Sequence, residues 1–167
     1  MQTSLRYDSD SKALLIHAKE KIPVDSKTLC QVHGELDTKI GAPSSLALIF
    51  RNFYPEFSAS IGAGIRYDVD KKIKYSLLGK KAFPITSNGF VSFNLKGRYD
   101  VDDKLNEKKA TGAAEFSWSI LDFQRYQDVR LKVGYAVFEK VPYLQIRENN
   151  WTFNADMNGR WNVRFDL

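Results

Sequence analysis

Apolar and polar residues trade places at every second position along most of this chain. In 91–100, VSFNLKGRYD, Val91, Phe93, Leu95, Gly97 and Tyr99 alternate with Ser92, Asn94, Lys96, Arg98 and Asp100. A period of two marks a β-strand, because successive side chains leave opposite faces of the backbone. The same alternation sets Ala59, Ile61, Ala63, Ile65 and Tyr67 against Ser60, Gly62, Gly64 and Arg66, and Trp161, Val163, Phe165 and Leu167 against Asn162, Arg164 and Asp166. Asp, Asn, Gly and Pro break the pattern, and Asn158-Gly159 is a strong two-residue hairpin signal. The pattern predicts an all-β, antiparallel up-and-down meander of about twelve strands, with ten to fourteen compatible. They cover 2–7, 12–21, 28–38, 45–54, 58–67, 73–78, 91–100, 110–120, 129–137, 142–147, 151–156 and 160–167.

Alternation leaves open which face is inside. In a soluble barrel or sandwich the apolar face meets a core and the basic face meets water. In a transmembrane β-barrel the apolar face meets lipid and the basic face lines an aqueous lumen. No apolar run approaches the ~20 residues of a membrane helix, but a barrel strand leaves only a weak hydropathy signal. The connections are short and even. A repeat of about 14 residues per strand and turn suits spanning strands of ~9–11 residues. The 167 residues predict a single domain over the whole chain. The start, MQTSLRYDSDSK, has no apolar stretch of the kind that opens a secretory signal.

Charge sharpens the choice. The chain carries a net charge of +5, which favours anionic partners. On the face opposite the apolar one, the clearer strands place Arg66, Lys74, Lys96, Arg98, Arg130, Lys132, Arg147, Arg160 and Arg164, against the acids Glu115, Asp156 and Asp166. The other acids, among them Asp8, Asp10, Asp25, Asp68, Asp70, Asp100, Asp102 and Asp103, are expected in turns. A one-signed face is unfavourable on an open sheet, because like charges across strands repel. In a concave lumen the same charges focus a positive potential, and Arg/Lys rings are the expected lining of anion and phosphate pores. Those nine bases are the candidate ligand-binding residues for phosphate groups. A faint repeat, Arg6-Tyr7-Asp8, Arg66-Tyr67-Asp68 and Arg98-Tyr99-Asp100, ends three odd-numbered strands. It therefore falls at one end of the meander, its Tyr residues suited to an interfacial girdle and its Arg residues to one mouth of the lumen.

Other chemistry is thinly represented. A lone cysteine, Cys30, rules out an internal disulfide and a multi-cysteine metal site. His17 and His33 lack metal-ligand spacing, and no catalytic constellation stands out, so neither an enzyme nor a metal or other cofactor is expected. There is no GxxxxGK[ST] loop, so recognition of a nucleotide such as ATP would be electrostatic. The aromatics lie opposite the bases, which argues against nucleic acid, where stacking and phosphate contacts share a face. On these residues alone, a soluble β-barrel or sandwich binding an acidic small molecule stays open beside the membrane pore.

Longer stretches carry a resemblance. TSLRYD followed by SKALLIHAKEK, then GAPSSLALI, GKKAFPIT, GAAEFSWSILDFQR and the C-terminal KVPYLQIRENNWTFNADMNGRWNVRFDL, resemble the small rectifying outer-envelope anion pores of plant chloroplasts from Met1 to Leu167. That resemblance implies a transmembrane β-barrel in the outer membrane of plastids, chloroplasts and etioplasts alike. It implies an anion-selective, rectifying pore passing triose phosphate, 3-phosphoglycerate and inorganic phosphate. ATP would act from the intermembrane-space side as a regulatory ligand and blocker rather than a cofactor, with the lipid bilayer as the pore's surroundings.

Overall fold

The computed structural model describes residues 1–69, 72–124 and 127–167. Twelve antiparallel strands run in order: β1 Gln2–Asp8, β2 Ala13–Pro23, β3 Thr28–Asp37, β4 Ala42–Tyr54, β5 Ala59–Asp68, β6 Ile73–Pro84, β7 Val91–Asp102, β8 Lys108–Gln124, β9 Gln127–Ala136, β10 Val141–Glu148, β11 Trp151–Asp156 and β12 Trp161–Asp166. Each pairs with its sequence neighbours, and β12 returns to β1, closing a barrel with no free edge. A single turn of 3-10 helix, Pro55–Phe57, interrupts the β4–β5 connection. Twelve strands at ~4.8 Å spacing, tilted by ~40°, put the backbone on a cylinder of roughly 12 Å radius. Side chains from opposite walls leave a narrow channel inside such a ring.

Pleating settles the two faces. The apolar parity points outward: Leu46, Ile61, Phe116 and Val133 are each more than half exposed. The other parity points into the lumen and carries the buried polar side chains Ser4, Gln31, Ser60, Ser76, Asn94, Glu115, Ser117 and Thr152. Ala13, Ile49, Ala113 and Val141 are the buried hydrophobic residues among those described, and all four share the lumen parity. An apolar outer band on this scale is unstable in water but matches lipid. The soluble carrier needs the reverse arrangement and is set aside. Cys30 lies on the outer face of β3, as its parity requires.

Both chain ends lie at one mouth, here the terminal mouth, where odd strands begin; odd strands end at the distal mouth. Outward aromatics ring both. Tyr7 packs on Trp161 at 5.8 Å near the distal mouth, and Trp151 on Phe165 at 4.7 Å near the terminal one. Tyr67 and Tyr99, like Tyr7, are exposed on the outer face toward the distal mouth. Several strands run longer than the alternation predicts. β6 continues through Lys80 to Pro84, β4 starts at Ala42, and β8 reaches Gln124. At the start of β4 the register slips between Glu35 and Leu36, and Ser44 is turned so that its hydroxyl donates to Glu35 Oε1 at 2.8 Å.

The lumen wall as candidate functional site

Pairing across the strands places every candidate base but one on the lumen wall. Arg66, Lys74, Lys96, Arg98, Arg130, Lys132, Arg147 and Arg164 all sit at inward positions. Arg160 does not sit on β12: the strand starts at Trp161, and Arg160 stands in the preceding turn at the distal mouth. There its guanidinium donates to Asp156 at 2.7 Å and approaches Glu139 at 3.5 Å. The registers also place on the wall Arg6, which the repeat had put at a mouth of the lumen, and Lys19, Lys21, Arg51, Lys80 and Lys109, which alternation missed.

Register brings like charges face to face. Arg66 directly opposes Lys74, Lys80 opposes Lys96, Arg130 opposes Arg147, and Arg6 opposes Arg164. Direct cross-strand opposition of like charges is destabilising unless acids or bound anions compensate. A paired row, Ser119–Arg130–Arg147–Thr152–Arg164–Arg6, carries four arginines across six neighbouring strands from the terminal mouth toward the distal one.

Part of the compensation is internal, and it corrects the expectation that the acids sit in turns. Asp8, Asp68, Asp100 and Asp102 are strand residues facing the lumen; Asp10, Asp25 and Asp103 are in turns, and Asp70 lies outside the described residues, as does Lys71. The lumen face is therefore not one-signed. Positions i and i+2 of a strand share a face, so Arg-x-Asp folds into an intrastrand ion pair. Arg6 meets Asp8 at 3.0 Å, Arg98 meets Asp100 at 2.8 Å, Arg164 meets Asp166 at 2.7 Å, and Arg66 meets Asp68 likewise. Lys74 also reaches Asp68, and Arg147 shares Asp166, each at 3.0 Å. The residue between, Tyr7, Tyr67 or Tyr99, is thereby turned outward.

The acids are unevenly spread along the axis. Asp8, Asp37, Asp68, Asp100, Asp102 and Asp156 all lie on the distal half. Asp102 caps the β7–β8 turn, its Oδ1 accepting the amides of Asn106 at 2.7 Å and Glu107 at 3.0 Å. Toward the terminal mouth, Lys19, Lys21, Arg51, Lys80 and Lys132 have no carboxylate partner among the described residues. Glu115, one of the three acids expected on this face, accepts from Lys96 Nζ and from the Tyr143 hydroxyl. Asp156, which shares no contact with it, pairs with Arg160. His17 Nε2 lies 3.2 Å from Glu35, and His33 packs edge-on against His17 at 6.3 Å. No group of metal-ligating side chains occurs among the described residues.

The lumen encloses a cavity of about 660 Å³, lined by Arg6, Arg51, Lys80, Lys96, Arg98 and Tyr143 among others. That is the size range of small-molecule sites. The family model for the chloroplast outer envelope pore protein OEP21 matches residues 3–167. The chain belongs to the OEP21 family. Outer envelope pore protein 21 of Pisum sativum is 57% identical over the full length of both chains, and protein 21A of Arabidopsis thaliana 54%, again over both whole chains. The Oryza sativa subsp. indica relative is 46% identical over the whole of both. Among solved structures a NanC porin matches with a TM-score of 0.61, covering 99% of this chain and 97% of that one at 10% identity, which speaks for the fold alone. As an OEP21-family member the chain is a pore protein of the chloroplast outer envelope, and its apolar band is the surface that membrane meets.

Proposed function

We propose that the whole chain acts as one barrel domain forming an anion-selective, rectifying pore for phosphorylated metabolites: triose phosphate, 3-phosphoglycerate and inorganic phosphate. The observation that carries this is the direct opposition of like charges on the lumen wall, above all Lys80 against Lys96 and Arg130 against Arg147. Such pairs are held apart from their repulsion by anions passing between them. Arg66, Lys74, Lys96, Arg98, Arg130, Lys132, Arg147 and Arg164 act as weak, exchangeable phosphate ligands, with Arg160 at the distal mouth. Conduction needs sites that release as readily as they bind, and carboxylate-paired arginines meet that need because the phosphate competes with a resident acid.

Rectification follows from the axial segregation of charge, with carboxylates toward the distal mouth and unpaired bases toward the terminal one. ATP carries more charge than the metabolites, engages more bases at once and obstructs the lumen. It is a regulatory ligand, and the mechanism calls for no cofactor. Single-channel recording in planar bilayers under a KCl gradient tests this reading. The reversal potential should report chloride over potassium. Neutralising Lys96, Arg98, Arg130 and Lys132 together should weaken both that preference and the ATP block. Reversal potentials unmoved by the four substitutions would sink it.

A further inference from the structure

One cluster on the wall differs from the rest. Most lumen arginines have a carboxylate two residues away on their own strand; Lys80, Lys96 and Lys132 come from three strands, and among the described residues Lys96 alone of the three is ion-paired, to Glu115. Lys80 and Lys96 face each other across β6 and β7. Lys132 lies on β9 opposite Ser117, two residues along the lumen face of β8 from Glu115. Glu115 is 4% exposed. It accepts from Lys96 Nζ and from Tyr143.

The Tyr143 ring lies against Gly134, the cross-strand partner of both Tyr143 and Glu115, where a Cβ would fall 2.6 Å from the phenol oxygen. Glycine is what lets the ring lie flat on the wall and aim its hydroxyl at Glu115. The Lys96 ammonium sits 5.7 Å from the centre of that ring. Lys96 is thus held from two sides, yet nearly half of its side chain is exposed to the lumen.

We propose that Lys80, Lys96 and Lys132 form a subsite for phosphate dianions, with Glu115 as a fixed internal counter-charge that sets its affinity. This rests on the anion-pore reading and adds a location to it. Three ammonium groups and one carboxylate leave two positive charges, which match a phosphate monoester dianion. When the dianion enters, Lys96 swings on its flexible stem from Glu115 to phosphate oxygen. Glu115 is not orphaned, because the Tyr143 hydroxyl still donates to it. On departure Lys96 returns to Glu115. The carboxylate competes with the cargo for one lysine and keeps binding loose enough for transport.

The test uses the whole protein in planar bilayers at about pH 8, where phosphate is largely a dianion. The readout is the concentration of inorganic phosphate that halves the chloride current. Glu115→Gln keeps the shape and removes the charge, and should lower that concentration about tenfold. Lys80→Met and Lys132→Met should each raise it several-fold, and Lys80→Met combined with Glu115→Gln should return it near wild type. Tyr143→Phe, a second variant that preserves packing, orphans Glu115 whenever Lys96 leaves it and should raise that concentration. Phosphate dependence within twofold of wild type in both Glu115→Gln and Lys132→Met, on an anion-selective background, would overturn the subsite. A wild-type channel with no anion preference would instead overturn the pore reading beneath it.

Discussion

Arg98 Nε lies 2.8 Å from both carboxylate oxygens of Asp100, two residues further along the same strand and on the same lumen face. Arg98 Nη2 also donates to Ser76 Oγ at 3.0 Å, and Ser76 in turn bonds Asp100. The carboxylate neutralises one of the bases deepest in the distal half. Asp100→Asn should therefore free Arg98 for anions, increase chloride preference and reduce rectification, since it removes charge from the acidic end. The pair is partly exposed, so its loss should lower stability by only about 1 kcal/mol. Current–voltage curves recorded at both polarities check this; an unchanged asymmetry would refute charge segregation as its source.

Gly64 and Gly134 both face the lumen but are crowded by different neighbours, and alanine should separate them. At Gly64 a Cβ would come 2.8 Å from Ile49 Cα and 2.9 Å from Ile49 Cγ1, against backbone of the neighbouring strand. At Gly134 the obstacle is the Tyr143 ring, which can rotate away. Gly134→Ala should lose about 1–3 kcal/mol by overpacking. Tyr143→Ala added to it should restore much of that, because the two residues touch and their effects do not add. Gly64→Ala should cost more, and Ile49→Ala should rescue little, since the clash is with main chain. Urea unfolding of the four variants in micelles measures both effects.

Much of this was legible in alternation. The strand number, the meander, the division into an apolar and a basic face and the shared parity of eight of the nine candidate bases follow from alternation. Alternation does not say which face is outside. The missing bases sit where parity is blurred. Leu14, Leu15 and Ile16 run together, so β2 does not announce that Lys19 and Lys21 point inward; Leu78 faces the lumen and hides the continuation of β6 to Lys80. The acids were misplaced because aspartate favours turns, whereas Asp8, Asp68 and Asp100 are the partners of arginines two residues earlier. The Arg-Tyr-Asp repeat contained that answer once i and i+2 were given one face. Its fourth copy, Arg164-Phe165-Asp166, ends an even strand and so belongs to the opposite mouth. No periodicity contains register, and register alone sets Lys80 against Lys96.

The β2–β3 turn offers a pH response outside the membrane. Asp25 Oδ1 accepts the backbone amides of Lys27 at 2.7 Å and Thr28 at 2.8 Å. These bonds hold the Asp25 carboxyl below its ordinary 3.8, the Lys27 amide first. A depressed folded value means that the contribution to turn stability is present at neutral pH and lost as pH falls through that lower value. The amide proton shifts of Lys27 and Thr28 should titrate together with a midpoint under 3.8, and Asp25→Ala should abolish the step. A midpoint at or above the ordinary value would show that the turn bonds do not favour the ionised form.

The two faces of one hairpin should answer the same substitution in opposite ways. Val133 lies near the middle of β9, more than half exposed, between Phe116 and Leu144 on the outer wall. Gln145 lies on β10, on the lumen wall opposite Lys132. An arginine at Val133 has hydrocarbon on one side and no counter-ion, so Val133→Arg should cost about 2–4 kcal/mol at bilayer mid-depth. An arginine at Gln145 loses the 2.6 Å amide bond to Asn154 but stays hydrated and adds to the lumen charge. Gln145→Arg should cost about 1 kcal/mol, roughly the worth of one neutral hydrogen bond, and should raise chloride selectivity. Urea titration of the folded barrel in lipid vesicles gives both stabilities, and bilayer reversal potentials give the selectivity. A water-soluble barrel with its apolar face inward would give the same order of stabilities, because Val133→Arg would bury a charge there too. Gln145→Arg would then sit on an open surface with no channel to select through, so the gain in selectivity is the readout that separates the two. The outward exposure of Val133 and the inward register of Gln145 exclude that arrangement, and the difference between the two variants measures how strongly the lipid enforces it.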